Sequence, residues 1–290
     1  MKHSNELLMD NRDAVRCEIC PRHCELLEGQ VGYCKARHII SRENKPLYYG
    51  SVSSCALDPI EKKPLYHFHP EKMILSVGSL GCNMRCYFCQ NHEISQIDGE
   101  RQCIEKTPEE LVLTAKESIP AGNIGIAFTY NEPSVCWEFV RDTAILAKEE
   151  NLCTVMVTNG CFCDTVSDEL LPVIDAFNID LKCFTNEGYA KLGGDLATVK
   201  NSITRAVASS HVEVTTLVVP GFNDDEAKMR EQVEWLASLS SYIPFHISRY
   251  FPSWKADMSP TSEKLLEKFA NIAKEHLKYV YLGNMSKRFL

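Results

Sequence analysis

Residues 73–91 read MILSVGSLGCNMRCYFCQN, an apolar stretch followed directly by three cysteines with the spacing CxxxCxxC. Cys82, Cys86 and Cys89 therefore belong to one short loop. Three thiolates in such a loop can bind three irons of a [4Fe–4S] cluster and leave the fourth iron open to a small molecule, whereas an electron-transfer cluster uses four protein thiolates. The spacing predicts a cluster that takes part in chemistry, and the alternative is a zinc site with a remote fourth ligand.

The composition indicates a stable globular protein, because 44% of the 290 residues are hydrophobic and 24% are charged. The net charge of −8 argues against non-specific binding to nucleic acid. A local basic patch is the remaining candidate for such binding, formed by Lys62, Lys63, Lys72 and Arg85. The longest apolar run, residues 73–80, is too short to cross a bilayer, and residues 1–16 lack the apolar segment of a signal peptide.

These features predict a cytoplasmic protein with neither a membrane nor a nucleic-acid partner. The chain contains 14 cysteines, and in the reducing cytosol clustered cysteines bind metal more often than they form disulfides. We therefore expect metal-bound thiolates and an oxygen-sensitive protein that is handled under anaerobic conditions.

After the cysteine loop, β-branched apolar runs alternate with amphipathic segments at the spacing of βα units, which favours a parallel sheet in an α/β fold. The predicted strands are residues 73–77, 124–129, 153–158, 177–181, 212–219 and 245–248. The predicted helices are residues 108–118, 134–150, 166–174, 199–209, 225–239 and 262–276. Six strands alternating with helices are expected to form one core.

The sequence divides into four segments. Residues 1–45 have no regular periodicity and form a small cysteine-rich metal-binding element. Residues 46–72 combine dense charge with aromatics and prolines, which predicts a loop segment over the barrel, where substrate contacts tend to lie. Residues 73–260 form the βα core, and residues 261–290 form a C-terminal helix and strand that pack on it.

Polar motifs lie at the ends of several predicted strands, where parallel α/β barrels collect their ligand-binding groups. They are the cysteine loop, Tyr130-Asn131-Glu132-Pro133, Thr158-Asn159-Gly160, Asp180-Leu181-Lys182, Val219-Pro220-Gly221 and Phe245-His246. A lysine at such a place can act as a point charge on a carboxylate. The structural alternatives are an Asn-Glu-Pro helix cap, an ordinary Thr-Asn-Gly turn and a core histidine at position 246.

A second group of cysteines lies near the start of the chain, as Cys17-Glu-Ile-Cys20-Pro-Arg-His-Cys24 followed by Cys34. Four cysteines so close together, with glycines and a proline enforcing turns, predict one site with four thiolate ligands. Zinc and a second [4Fe–4S] cluster both accept four thiolates, so the spacing leaves both open, and we favour the cluster. His23 is a candidate substitute ligand.

Two further pairs of residues lie outside these motifs. Glu61 and His67 are candidate proton donors or substrate anchors, and the alternative is a Lys/Glu surface with His67 packed in a turn. Cys161 and Cys163 follow the Thr-Asn-Gly motif and are candidates for thiols that contact a substrate or quench a radical.

Taken together, the motifs CxxCPxxC, DPIEKKPLYHF, GCNxxCxFCQN, TYNEP, TNG, DLK, VVPGxND and PFH resemble those of the radical S-adenosylmethionine superfamily. They are similar in particular to the radical enzyme of the AmmeMemoRadiSam system, which is itself close to the pyruvate formate-lyase activating enzymes. The resemblance runs from about Cys17 to Asn284 and implies a partial (βα)6 barrel. Many members of that family continue into a cysteine-rich tail, whereas this sequence ends at Leu290, so the role that such a tail has in those relatives is not assumed here.

The resemblance also implies cofactors and their contacts. S-adenosylmethionine is implied to chelate the open iron of the cluster held by Cys82, Cys86 and Cys89, and to yield a 5′-deoxyadenosyl radical on reduction. Glu132, with carbonyls beside Asn131, is implied to receive the ammonium group of the methionine part. The remaining implied contacts are to the ribose and carboxylate from Thr158, Asn159, Asp180 and Lys182, near the adenine from His246, and from Phe88.

Three functions are compatible with this reading. The first is an enzyme that uses the radical to abstract hydrogen from a small molecule or a peptide side chain. The second is an activase that installs a glycyl radical on a large partner, which the extra N-terminal cysteine site disfavours. The third is a non-catalytic iron–sulfur or zinc scaffold, which the polar motifs at successive strand ends oppose. The first two require an electron donor such as a ferredoxin or a flavodoxin.

Overall fold

The computed structural model describes residues 13–97, 99 and 101–286. The strands in this part of the chain are β1 (Val15–Arg16), β2 (Glu25–Leu26), β3 (Arg37–Ile40), β4 (Glu43–Pro46), β5 (Ser51–Val52), β6 (Ser54–Pro59), β7 (Met73–Gly78), β8 (Ile104–Glu105), β9 (Asn123–Phe128), β10 (Cys153–Thr158), β11 (Ala176–Asp180), β12 (His211–Val218), β13 (Phe245–Arg249) and β14 (Val280–Gly283). The α-helices are α1 (His92–Ser95), α2 (Pro108–Glu117), α3 (Trp137–Glu149), α4 (Asp164–Leu170), α5 (Asn186–Lys191), α6 (Leu196–Val207), α7 (Glu226–Leu239) and α8 (Glu263–Lys274).

The main sheet contains eight strands in the order β14-β13-β12-β11-β10-β9-β7-β6. All neighbouring pairs from β7 to β14 are parallel, and β6 runs antiparallel to β7 at one edge. Most of the parallel strands are linked by helices, as expected for crossover connections. The predicted α/β fold, a partial (βα)6 barrel with a small N-terminal cysteine-rich element, is therefore confirmed.

Side chains alternate between the two faces of the sheet. Phe177 and Ile179 of β11 belong to the large core that also contains the apolar faces of the helices. Ala176 of the same strand belongs to a smaller core on the opposite, inner face, together with Ala127 and Val155 of neighbouring strands. Successive residues of a strand point to opposite faces. The polar residues at the inward-facing positions of these strands therefore point into the barrel.

Several helices begin at side-chain caps that the sequence encodes. Thr107 accepts the N–H of Glu110, and the Glu110 carboxylate accepts the N–H of Thr107, so that α2 opens on a complete capping box. The side chains of Asp195, Asp225 and Ser262 each accept one backbone N–H in the first turn and so cap α6, α7 and α8. Each such cap stabilises its helix by about 1 kcal/mol, which fixes where each connection leaves the sheet.

The observed strands lie within one or two residues of the predicted ones, and β10 (Cys153–Thr158) has the predicted bounds. The segment from 46 to 72 differs from its prediction as a loop over the barrel. Ser54–Pro59 form the antiparallel edge strand β6, because an edge position tolerates the acidic residue and the proline that exclude a central strand. The other proposed segment boundaries stay predictions.

Residues 60–72 lie at the base of the barrel, opposite the ends that carry the polar motifs, whereas Ser53 precedes β6 at the carboxyl end of β7, where its N–H donates to the Gly78 carbonyl at 2.8 Å. β6 runs from Ser54 beside Gly78 down to Pro59 beside Met73, so the following residues begin at the amino ends of the parallel strands. Ile60 and Leu65 are fully buried against the inner core there. Residues 60–72 therefore close the bottom of the barrel and do not cover its open rim.

The N-terminal element docks against the cysteine loop. Two antiparallel pairs, β1 with β2 and β3 with β4, hold its turns. The Cys82 N–H donates to the Cys34 carbonyl at 3.2 Å. Gly81 has φ +89°, and a Cβ atom there would lie 2.7 Å from that same carbonyl oxygen, so only glycine permits this close contact. No helix within the described residues is both long and apolar enough to span a bilayer.

Candidate functional site

A cavity of about 1050 Å³, part of it open to solvent, lies at the carboxyl ends of the parallel strands. Its volume is that of a site for a small molecule of cofactor size. Its lining includes ten of the eleven residues predicted for the cluster and the cofactor, namely Cys82, Cys86, Phe88, Cys89, Asn131, Glu132, Thr158, Asn159, Asp180 and Lys182. The structure thus brings together motifs that are up to about one hundred residues apart in the sequence.

The three thiols of the cysteine loop face this cavity. The Met84 N–H donates to Cys82 Sγ at 3.4 Å, and the Asn91 N–H donates to the thiol of Cys89. Burial raises the pKa of Cys86 to about 12, although the nearby Lys182 ammonium opposes this rise. A buried set of thiols becomes thiolate readily only when a cation shares the site, which is the environment a metal cluster supplies.

Glu132 is the buried carboxylate of the cavity, with 2% of its surface exposed. Its oxygens accept hydrogen bonds from the Thr158 hydroxyl at 2.7 Å, from the Asn159 N–H at 2.8 Å and from the Ser134 N–H at 3.1 Å. Burial nevertheless outweighs these bonds and raises the pKa of Glu132. A cation bound in the cavity would relieve this penalty, so the carboxylate is suited to an ammonium group.

Asp180 is the last residue of β11, and Lys182 follows it on the same rim. Their side chains form an ion pair at 2.6 Å inside the cavity wall. Burial lowers the pKa of Lys182, but the Asp180 carboxylate and the thiols of Cys86 and Cys89 outweigh burial and raise it above its ordinary value. Lys182 is therefore a fixed cation beside the cysteine loop, oriented by Asp180.

Asn131 holds the cavity wall together through its side chain. Its Oδ1 accepts the Ser79 N–H at 2.9 Å, and its Nδ2 donates to the Gly81 carbonyl at 3.2 Å. Phe88 is buried and packs on Phe222, with ring centroids 5.6 Å apart. The Val-Pro-Gly turn that carries Phe222 thereby supports the cysteine loop from the side.

His246 is the predicted cofactor residue that the structure does not bring to the cavity. Its Nε2 lies 2.6 Å from the carboxylate of the fully buried Glu213. Its ring stacks on Tyr281 and meets Tyr66 edge to face. His246 therefore belongs to a polar cluster deeper in the barrel, as the core-histidine alternative expects.

The same cluster contains His67. The His67 N–H donates to Glu213 at 2.7 Å, and its ring Nε2 lies 2.6 Å from the Tyr281 hydroxyl. Glu61 accepts the Glu71 N–H at 2.6 Å, within residues 60–72 at the base of the barrel. Both residues thus stabilise the base of the barrel, and neither lines the cavity that contains the cysteine loop.

Tyr130 is a cavity residue whose role the sequence does not reveal. Its φ of +74° is in the left-handed region, which costs a residue with a Cβ atom about 1 kcal/mol. Its hydroxyl donates to Asp58 at 2.8 Å, and its ring lies under the Lys63 ammonium at 4.5 Å. Burial, with the Asp58 charge, raises the pKa of Tyr130 to about 12, so the phenol stays protonated.

Asp58 connects residues 60–72, at the base of the barrel, to Tyr130. Its carboxylate also pairs with Lys62 at 2.8 Å and with the buried Lys63 at 3.0 Å. Burial raises the pKa of Asp58, but the three donors outweigh burial and lower it below its ordinary value. Two lysines of the candidate basic patch are thus paired, and a third member, Arg85, donates to backbone carbonyls.

The four N-terminal cysteines line one small enclosed cavity behind the cysteine loop, which Cys17, Cys20, Cys24 and Cys34 share with Asn83. Burial raises the pKa of Cys20 to about 12, and the charges of the other three thiols add to the rise. His23 does not line this cavity, and its Nδ1 lies 3.0 Å from the Glu18 carboxylate and 3.2 Å from the Cys17 carbonyl. Cys161 and Cys163 adjoin this N-terminal group and do not line the larger cavity, so the structure does not place them as substrate contacts.

Among residues 13–97, 99 and 101–286, no three His, Cys, Asp or Glu side chains converge closely enough to hold a single metal ion. A [4Fe–4S] cluster places a different requirement on its ligands, since each thiolate binds a different iron. In the cavity the donor set for such a cluster is three thiols on one loop, with backbone N–H groups aimed at two of them. These residues fit the cluster that their spacing predicts.

Comparison with protein families matches residues 76–233 to the Radical SAM superfamily. An uncharacterized protein of Methanocaldococcus jannaschii is 41% identical over 289 residues, which make up 97% of this chain and 84% of that protein. The pyruvate formate-lyase 1-activating enzyme of Escherichia coli is 29% identical over 175 residues, or 57% of this chain and 71% of that enzyme.

Two solved structures show the same fold at low sequence identity. Streptococcus suis SuiB bound to S-adenosylmethionine is 12% identical, with a TM-score of 0.58 over 74% of this chain and 52% of that chain. A radical SAM methyltransferase from Sphaerobacter thermophilus is 17% identical, with a TM-score of 0.53 over 74% of this chain and 67% of that chain. These likenesses concern the fold alone.

Proposed function

The chain belongs to the radical S-adenosylmethionine superfamily, and on that premise we propose that it is an enzyme that abstracts hydrogen from a small molecule or a peptide. The observation that carries the proposal is the convergence of three thiols, a buried carboxylate and a fixed ammonium group on one cavity. When bound on the reduced cluster, S-adenosylmethionine supplies the 5′-deoxyadenosyl radical that performs the abstraction.

Different residues of the cavity would hold different parts of the cofactors. Cys82, Cys86 and Cys89 would hold three irons of the cluster, which would leave the fourth iron to S-adenosylmethionine. Glu132 receives the ammonium group of the methionine part, since it is a buried acceptor whose pKa burial has raised. Lys182, held by Asp180 at 2.6 Å, faces the carboxylate.

The remaining predicted contacts support this arrangement. Thr158 and Asn159 keep the Glu132 carboxylate in place through two short hydrogen bonds and border the space for the ribose. Asn131 fixes the wall beside the ammonium, and Phe88 covers one side of the cavity. Because these groups are already paired before a ligand binds, the site is preorganised.

A glycyl radical activase is the second candidate, favoured by the similarity to the pyruvate formate-lyase 1-activating enzyme of Escherichia coli. In that function the substrate would be the backbone of a large partner protein. The N-terminal cysteine element favours the first candidate over the activase. We propose that this element holds a further metal centre, either zinc or an iron–sulfur cluster. A scaffold without catalysis would not require the buried Glu132 and Lys182 beside the thiols.

The wider biological setting is also a proposal. The motif set supports a role as the radical enzyme of an AmmeMemoRadiSam system, working in the cytoplasm under anaerobic conditions. A ferredoxin or a flavodoxin would supply the electron. The net charge of −8 favours neither nucleic acid nor an acidic membrane surface as a partner.

The test is anaerobic reconstitution followed by incubation with dithionite and S-adenosylmethionine, with 5′-deoxyadenosine measured by liquid chromatography. Wild type and the control Cys55→Ala, which changes an exposed thiol outside the cavity, should form the product. Cys86→Ala should form none. Equal yields from Cys86→Ala and the control would overturn the assignment of a radical enzyme.

A further inference from the structure

We propose that Cys17, Cys20, Cys24 and Cys34 hold a [4Fe–4S] cluster that passes electrons to the cluster of the larger cavity. The inference rests on the proposed function, since it needs a second redox centre to receive the electron. It rests structurally on the shared cavity of the four thiols and on how that cavity meets the loop of Cys82.

The N-terminal thiols have the same local geometry as those of the cysteine loop. The Arg22 N–H donates to the thiol of Cys20, and the Ala36 N–H donates to the thiol of Cys34. In both cases the donor is the second residue after the cysteine, as it is for Cys82 with Met84. Donors in this position stabilise a thiolate and tune the potential of a cluster bound to it.

One hydrogen bond joins a ligand of the second site to a ligand of the first. The Cys34 carbonyl accepts the Cys82 N–H at 3.2 Å. From the sulfur of Cys34 to the sulfur of Cys82 the path therefore consists of covalent bonds and this single hydrogen bond. It provides a short electronic connection between the two centres.

Asn83 provides a second connection. Its side chain lines the cavity of the N-terminal thiols, and its Oδ1 accepts from Asn159 Nδ2 at 2.8 Å. The same Asn159 nitrogen lies 3.7 Å from Cys82 Sγ. A pair of amide side chains, both at least nine-tenths buried, thus fills the space between the two sets of sulfurs.

Two cations favour a cluster that accepts electrons. The guanidinium groups of Arg22 and Arg85 lie 3.6 Å and 4.2 Å from the ring centre of Tyr33, which borders the N-terminal cavity. Within the part of the chain that the structure describes, neither guanidinium forms an ion pair with a carboxylate. Uncompensated positive charge stabilises the more negative, reduced cluster and raises its potential.

The location of the second site suits delivery from a protein donor. S-adenosylmethionine and the substrate would occupy the open side of the larger cavity, so a protein donor would deliver its electron from behind Cys82. The loop of the N-terminal cysteines lies on that side, where Glu18 and His23 have exposed surface and Cys24 is half-buried. A cluster held by the four N-terminal thiols would accept one electron from a reduced ferredoxin or flavodoxin and would return to its oxidised state on passing that electron to the cluster held by Cys82, Cys86 and Cys89.

The first measurement is a count of iron, sulfide and zinc in reconstituted wild type and in the double variant Cys17→Ala/Cys20→Ala, with Cys55→Ala as the control. We expect about eight irons and no zinc in wild type and control, and about four irons in the double variant. Four irons with one zinc in wild type would overturn the inference.

The second measurement is the rate at which the first cluster, held by Cys82, Cys86 and Cys89, is reduced after rapid mixing. Electron paramagnetic resonance monitors the reduced cluster. Reduction by flavodoxin should slow by at least about 10-fold in the double variant, whereas reduction by dithionite, which reaches the open cavity directly, should change by less than about 2-fold. Equal flavodoxin rates in variant and wild type would overturn the relay. Asn83→Ser, which keeps all seven ligands, should retain eight irons and slow the flavodoxin reaction, and an unchanged rate there would also count against the relay.

The spectrum of the first cluster separates this inference from the proposed function. S-adenosylmethionine should alter that spectrum in wild type and in Cys17→Ala/Cys20→Ala alike, because both keep the three thiols of the larger cavity. If no preparation responds to S-adenosylmethionine, the proposed function fails. If all respond but the flavodoxin rates agree, only the relay fails.

Discussion

Glu132→Gln should weaken the binding of S-adenosylmethionine by about 10- to 100-fold. The carboxylate is 2% exposed and accepts three hydrogen bonds, so it is held ready for a cation in a place that water scarcely reaches. A hydrogen bond to a charged group contributes about 1.5–3 kcal/mol, and each 1.4 kcal/mol is a factor of ten in affinity. The amide keeps the shape of the side chain and removes the charge.

The same substitution should lower the free energy of unfolding. The Asn159 N–H and the Thr158 hydroxyl approach different carboxylate oxygens, whereas glutamine offers an acceptor on one side only. One buried donor then faces an N–H₂ group and loses its partner, which costs about 1–3 kcal/mol. The matched control is Thr158→Val, which removes the hydroxyl that donates to Glu132 and accepts the Gly160 N–H but leaves the charge of the carboxylate, and should change affinity by less than about 10-fold.

The assay is isothermal titration of S-adenosylmethionine into anaerobically reconstituted protein, with iron counted in each preparation so that only clusters of equal occupancy are compared. Unfolding in urea gives the stability of each variant. If Glu132→Gln is folded, retains its iron and binds S-adenosylmethionine within 2-fold of wild type, the ammonium does not meet this carboxylate and the reasoning is wrong.

Three further predictions concern the framework of the site. Asp58→Asn leaves the buried Lys63 without its carboxylate and should cost about 3–5 kcal/mol in urea unfolding, whereas Lys62→Ala, which removes an exposed partner, should cost less than about 1 kcal/mol. Burial raises the pKa of Glu213, but its hydrogen bonds lower it to about 2, so its stabilising contribution should be lost as pH falls from about 4 towards 2, a loss absent from the acid unfolding of Glu213→Gln. Gly81→Ala should lower the unfolding free energy by more than about 1 kcal/mol, since the methyl group would lie 2.7 Å from a backbone carbonyl at φ +89°. Unchanged stability of Asp58→Asn or of Gly81→Ala would contradict the packing described.

The sequence predicts the parallel strands well because each is an apolar, β-branched run that is buried on both faces. β10 has its predicted bounds for this reason. The short helix α5 (Asn186–Lys191) escapes prediction because its six residues are too few to show a period and include Gly188. The edge strand β6 (Ser54–Pro59) escapes because its pairing, not its composition, makes it a strand.

The candidate site is predicted residue by residue where one motif carries one function, as with the cysteine loop and Asp180-Leu181-Lys182. The structure does not support the prediction for His246, because this residue lies too deep in the barrel to reach the cavity. Ser248, two residues later on the same face of β13, lines the cavity, whereas His246 lies one layer lower and meets Glu213. Sequence shows which face a strand residue occupies but not its depth in the barrel, because depth follows from the register between neighbouring strands.

Thr158-Asn159-Gly160 shows why a motif of ordinary turn residues can be specific. A turn needs only the backbone of such residues, and the Asn159 side chain would then be free to face water. Here it is 6% exposed and donates to Asn83, while the Asn159 N–H donates to Glu132. One residue therefore bonds both to the carboxylate proposed for S-adenosylmethionine and to the amide that borders the N-terminal thiols. Because Asn159 contacts both neighbours, binding of the cofactor and the supply of the electron are expected to be coupled at this strand end.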